Sequence, residues 1–150
     1  MQKKRYVVIG VGGRSRMYTN AITKSHAQHC ELVAICDNNP GRMELLNQQF
    51  EEAGLPRVAT YSDADFDKMI AEKKPHAVVV TTRDCFHDKY IVRAMELGCD
   101  VITEKPMTTD DARCRKILQT VKKTGRNCQV TFNYRYSPPR SQVKELLASG

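Results

Sequence analysis

The sequence predicts an α/β domain built as a doubly wound parallel sheet with helices on both faces. Three observations carry this. Six short apolar runs recur along the chain: Tyr6–Ile9, Leu32–Cys36, Val58–Tyr61, Ala77–Thr81, Asp100–Thr103 and Cys128–Phe132. Several are continuous β-branched stretches, AVVVT at 77–81 the clearest, as parallel strands covered on both faces require. Helix-period segments lie between the runs, and alternation repeated this often means right-handed βαβ units.

The first run leads into VVIGVGGRSRMY (7–18), which passes from a strand through a glycine-rich turn into a polar helix. The second ends at Asp37, inside DNNPG, a sequence that turns on its own account. After the third, Ser62 can cap a helix with Asp65 at the capping-box position and Phe66, Met69 and Ile70 as its apolar stripe. Ile91, Ala94 and Met95 face inward on the helix after the fourth run, which Gly98 closes. After the fifth, Thr109 is the expected cap, ahead of the first-turn acids Asp110 and Asp111. That helix carries Cys114, Ile117, Leu118 and Val121 at i, i+3, i+4 and i+7, and closes with Lys122, Lys123 and Gly125. A last helix opens at Pro138–Pro139. Residues 1–136 read as one domain, and 137–150 as a helix leading toward a second.

Composition narrows the function classes. At 150 residues, 41% hydrophobic and 27% charged, the chain suits one globular domain with a real core. No apolar run approaches the roughly 20 residues a membrane span needs. The start, MQKKRYVVIGVGG, is basic, but glycines break its apolar run, so it is not a signal peptide, and a cytoplasmic protein is expected. The six cysteines form no C-x-x-C pair and read as buried free thiols. His26, His29 and Cys30 lack a second ligand group nearby, so no metal is expected. The net charge of +7 suits an anionic ligand. There is no arginine-rich helix with interleaved aromatics, so nucleic acid is not an expected partner.

In a nucleotide-binding turn the first glycine of G-x-G-x-x-G permits the tight bend and the second lets the backbone approach a pyrophosphate. The third lets helix and strand pack closely. Gly10 and Gly12 fill the first two places, and Ser15 fills the third with a small side chain whose hydroxyl can bond a phosphate oxygen. Gly13 adds a permissive position, the helix N-terminus offers N–H groups, and Arg14 and Arg16 favour an anion. Asp37 stands 27 residues after Gly10, where an acid bonds the adenosine ribose hydroxyls. An acid there favours NAD, while Arg42 leaves NADP open.

Polar residues also gather where the fourth and fifth runs end, at the sheet edge where open α/β sheets bind ligands. Thr81, Thr82, Asp84 and His87 cluster at one end, with Glu104, Lys105 and Pro106 at the next. Helix capping also accounts for Asp84 and His87, and an exposed ion pair for Glu104 and Lys105. GVGGRSRMY, the strand ending in Asp37, TTRDCFH, ITEKPMTT and FNYRYSP closely resemble the N-terminal half of the Gfo/Idh/MocA oxidoreductases, which include glucose–fructose oxidoreductase and inositol dehydrogenase. The resemblance covers all 150 residues, and E-K-P is its most specific part.

The resemblance implies a Rossmann-type domain binding NAD or NADP at Gly10, Gly12, Gly13 and Asp37, with Thr81, Thr82 and Glu104 along the cofactor. It places Lys105 near the nicotinamide ribose and the substrate hydroxyl, with Lys105–Pro106 often cis, and matches Tyr134 and Arg135 to a segment leading toward substrate. The reaction it implies is hydride removal from a sugar or polyol carbinol carbon, with Lys105 relaying or polarising the hydroxyl proton. The family's catalytic histidine belongs to a second, mostly antiparallel domain that often builds the oligomer. This chain stops about where that domain would begin, so alone it is expected to bind cofactor with little or no turnover. Two other readings stay open: a freestanding nucleotide-binding sensor module, and a relative of glycosidases that use NAD in transient oxidation.

Overall fold

Parallel pairing orders six strands as β3-β2-β1-β4-β5-β6. They are β1 (Lys4–Ile9), β2 (Cys30–Cys36), β3 (Ala59–Tyr61), β4 (Ala77–Val80), β5 (Asp100–Glu104) and β6 (Cys128–Thr131). The computed structural model describes residues 2–135 and 137–150. Six helices alternate with the strands: α1 (Ser15–Asn20), α2 (Pro40–Glu52), α3 (Phe66–Lys73), α4 (His87–Glu96), α5 (Asp111–Thr124) and α6 (Pro138–Ser149). A π-helical turn, Ala21–Ser25, prolongs α1. Tyr136, which falls at the expected domain boundary and within FNYRYSP, lies outside the described residues.

Alternation along the central strands builds two cores. Val7 and Ile9 of β1 join Val78 and Val80 of β4 on one face, packed with Phe66, Met69 and Ile70 of α3, Ile91 and Met95 of α4 and Ile117 of α5. Val8 and Val79 point the other way, into Tyr18 and Ile22 of the first helical segment and Met43, Leu46 and Phe50 of α2. A strand with both faces so covered is apolar throughout, and β4 is buried at all four positions.

Several local signals are realised differently. Asp110, not Thr109, caps α5: its extended backbone places Oδ1 to accept from the Arg113 N–H at 2.9 Å. Leu118 is 52% exposed, because Ile117 and Thr120 take the inward face of α5, with Cys114 and Val121 at its margin. Ser62 accepts from the Ala64 N–H, but this opens a 3-10 turn at Asp63–Asp65, and Asp65 makes no reciprocal cap bond. Gly98 and Gly125 take the left-handed conformation at φ 86° and 66°.

Register then assembles the site. Ile9 lies opposite both Cys36 and Val80, Val80 opposite Thr103, and Glu104 opposite Thr131. One residue beyond the Ile9 row, Gly10, Asp37, Thr81 and Glu104 therefore stand side by side at the C-terminal edge. The crossover order reverses between β1 and β4, and there the edge opens into a crevice.

Candidate cofactor site

The glycine turn is fixed by contacts that only glycine permits. Gly10 has φ 88°, and a Cβ there would lie 2.4 Å from the Thr82 nitrogen and 2.6 Å from the Thr81 carbonyl carbon. Thr81 Oγ donates to the Gly10 carbonyl at 2.7 Å and its N–H to Ile9 at 2.9 Å, binding the turn to the exit of β4. Gly12 and Gly13 meet nothing within 4 Å at their Cβ positions, so their absent side chains leave the front of the turn open. That is the clearance a pyrophosphate against the backbone requires. Ser15 is 1% exposed, and its hydroxyl donates to the Gly12 carbonyl at 2.7 Å, which commits its proton to closing the turn rather than to a phosphate oxygen.

Asp37 leaves β2 with its carboxylate already half engaged. Oδ2 accepts from the Val11 N–H at 2.6 Å, and Oδ1 accepts from the Asn39 N–H at 2.8 Å with the exposed Arg42 guanidinium 3.9 Å away. The acid thus holds the glycine turn while facing a cleft of about 360 Å³ that Gly10, Gly12, Gly13, Arg14, Arg42, Thr81 and Thr82 also line. Arg83 and Phe86, within TTRDCFH but not singled out in it, and Lys89 beyond it add an outer wall, with the Arg83 guanidinium 5.0 Å from the Phe86 ring centroid.

Glu104 ends β5 almost wholly buried. Its Oε1 accepts from Tyr18 Oη at 2.6 Å, Arg14 Nε at 2.7 Å and Thr131 Oγ at 3.3 Å. Burial pushes this carboxyl up, but the Arg14 and Tyr18 hydrogen bonds outweigh it and hold the group below the ordinary glutamate value. The Tyr18 hydroxyl is pushed up to about 12, first by burial and then by Glu104. Tyr18 and Thr131 lie 86 and 27 residues from Glu104, so only register and helix packing reveal them.

The next residue, Lys105, is exposed at a cis peptide to Pro106. It lines a second cleft with Thr81, Thr82, Asp84, His87 and Glu104, joined to the first through Arg14 and the two threonines. Asp84 uses Oδ1 to accept from the Cys85 N–H at 3.0 Å. His87 is buried, with Nδ1 2.9 Å from the Pro106 carbonyl oxygen and Nε2 3.0 Å from that of Thr82. Arg135 is exposed in a turn whose neighbours Asn133 and Tyr134, rather than Arg135, line the second cleft. No cluster of metal-ligating side chains occurs among the described residues.

Sheet order, turn and strand-end acid define a dinucleotide-binding domain of the Rossmann type, with NAD as its cofactor. The chain belongs to the Gfo/Idh/MocA oxidoreductase family, whose NAD-binding Rossmann-fold model matches residues 4–132. It is 34% identical to YteT of Bacillus subtilis over 98% of this chain and 34% of YteT. Identity is 27% to the inositol 2-dehydrogenase/D-chiro-inositol 3-dehydrogenase of Lactiplantibacillus plantarum, over 95% of this chain and 39% of that enzyme. A glycosyl hydrolase family 109 protein of Shewanella pealeana is 25% identical over 100% of this chain and 33% of its own length. Among solved structures, the WlbA dehydrogenase of Bordetella pertussis with NADH and UDP-GlcNAcA superposes with a TM-score of 0.85 at 24% identity, over 100% of this chain and 42% of that one, which shows the shared fold. The chain spans little more than a third of the length of these curated relatives.

Proposed function

We propose that this chain is the cofactor-binding part of a cytoplasmic oxidoreductase acting on a sugar, polyol or related carbohydrate. Residues 1–136 would form the dinucleotide domain, and 137–150 the helix leading to the substrate domain. One observation carries the reading: register brings the glycine turn, Asp37 and the Glu104–Lys105 pair to one height on the sheet edge, with two joined clefts in front. The inositol dehydrogenase among the relatives supports the substrate class. Free thiols at all six cysteines suit a reducing compartment.

In this reading the turn at Gly10–Gly13 holds the pyrophosphate, Asp37 and Arg42 select the adenosine ribose, and Thr81 and Thr82 border the nicotinamide end. Bound NAD supplies the hydride acceptor. Lys105, exposed in the second cleft beside Thr82 and Glu104, stands where its ammonium can bind a substrate hydroxyl and stabilise or relay its proton. Glu104 keeps its negative charge paired with Arg14, which leaves the Lys105 ammonium to the substrate. Substrate contacts and an oligomer interface fall to the remainder of the enzyme.

The test uses the enzyme formed by this chain and its natural continuation, assayed by nicotinamide absorbance against a polyol and sugar panel. Lys105→Ala should leave NAD affinity within about threefold and lower kcat at least a hundredfold, the range of one general acid–base group. Undiminished turnover would refute the role given to Lys105. The family 109 relative supports a second reading, glycoside cleavage through transient oxidation. Release of an aglycone without net NADH would favour it.

A further inference from the structure

We infer that His87 is a positioning residue: its imidazole clamps the exits of β4 and β5 together and so sets where Lys105 stands beside the cofactor cleft. The inference rests on the reading of Lys105 given above and adds a side chain that need not touch substrate or cofactor.

His87 opens α4 and is 2% exposed. Its two ring nitrogens meet two backbone carbonyl oxygens, Pro106 at 2.9 Å and Thr82 at 3.0 Å. Helix capping does not account for this, since the cap position of α4 is Phe86 and no side chain bonds there. Nor does direct cofactor binding, because both nitrogens already face protein acceptors. A neutral imidazole carries one N–H and one lone pair, so it bonds one carbonyl and turns a lone pair toward the other. An imidazolium donates to both. In either form the ring holds at least one of the two strand exits by a hydrogen bond.

Both carbonyls belong to the cleft. Thr82 follows Thr81, whose hydroxyl is bonded to Gly10, and Pro106 follows Lys105. A continuous series of contacts thus runs from the glycine turn through Thr81, Thr82, His87 and Pro106 to the lysine. The charged groups sharing the cavity are Arg14 from the glycine turn, Asp84 from the 3-10 turn before α4, and Glu104 and Lys105 from the β5 exit. Asp88, next along α4, is paired with Arg113 of α5 at 3.3 Å. Glu104 is committed to Arg14, so within this ring Asp84 and Lys105 are the charges without an ion-pair partner among the described residues.

The experiment is nuclear magnetic resonance of the 150-residue chain at a single pH. Long-range proton–nitrogen spectra read the His87 ring, and amide spectra read Arg83, Lys105 and Met107. The expected result is a ring N–H that exchanges slowly with solvent, as a buried donor to a carbonyl should. In His87→Ala all three amides should shift together, and His87→Gln, whose amide can still donate to a carbonyl, should return them part of the way. A ring N–H that exchanges freely, or three amides untouched by His87→Ala, would overturn the clamp. Should His87→Ala not fold, the ring exchange of the parent chain decides alone. Failure to bind NAD would count against the cofactor reading, whereas amides that ignore His87→Ala would count against the clamp alone.

Discussion

Replacing Gly10 with alanine separates two duties of the glycine turn. The new methyl would sit 2.4 Å from the Thr82 nitrogen and 2.7 Å from the Thr81 carbonyl oxygen, both rigid backbone at the exit of a buried strand. The φ of 88° adds a conformational cost of about 1–3 kcal/mol, and overpacking adds about 1–3 kcal/mol more. A total of about 2–6 kcal/mol is a large part of the roughly 5–15 kcal/mol typical of a domain. For a domain of this size it should lower Tm by roughly 5–20 °C. Gly12→Ala is the control: nothing lies within 4 Å of its Cβ, so stability should hold to about 0.5 kcal/mol. Its methyl nonetheless occupies the open front of the turn, and NAD affinity should fall about tenfold or more, near 1.4 kcal/mol. Circular dichroism melts and calorimetric NAD titrations of the two variants read both quantities. A Gly10→Ala chain melting with the parent would show that the turn tolerates a side chain there, and a Gly12→Ala chain binding NAD equally well would show that the cofactor does not approach the front of the turn.

Two further predictions concern the acids flanking the turn. Asp37→Ala removes the carboxylate that would meet the ribose hydroxyls, so calorimetry should show NAD weakened more than NADP; an unchanged ratio would shift selection to Arg42 and the asparagines beside it. Glu104 has a lowered pKa, so its pairing stabilises the fold above the ordinary glutamate value and is lost as pH falls through the folded value. Tyr18 has the opposite sign: its contribution is present below the ordinary tyrosine value and is lost as pH rises through about 12. Glu104→Gln should cost about 1–3 kcal/mol, less than a fully buried pair because Arg14 is 39% exposed, and should flatten the acid limb of a Tm–pH profile. An acid limb unchanged in Glu104→Gln would refute that assignment.

Much of this arrangement was legible in residue order. Parallel strands announce themselves by continuous apolar runs, and all six emerged within a residue or two of their observed ends. The glycines and Asp37 stand in a local pattern whose spacing is set by one βαβ crossover, so linear distance suffices to find them. What escaped depends on geometry across the sheet. Tyr18 and Thr131 meet on Glu104 only because α1 packs over β1 and β6 pairs with β5, and neither contact has a linear signature. Ser15 shows a subtler limit: a small residue at the third glycine place was expected, but not that its proton would close the turn on Gly12. Leu118 departs from expectation because a helical stripe drawn on sequence has no edge, whereas α5 buries only the side that packs toward α4. His87 was placed at the cleft by its position after TTRDCF, yet its second carbonyl comes from Pro106, 19 residues away.

Calorimetric titration of the unaltered chain with NAD decides whether the glycine turn and Asp37 form a cofactor site. Saturable binding with one site per chain, at micromolar affinity or weaker, is the expected result, and it should weaken about tenfold or more in Gly12→Ala. A folded chain that takes up neither NAD nor NADP would rule out a cofactor site at this edge of the sheet.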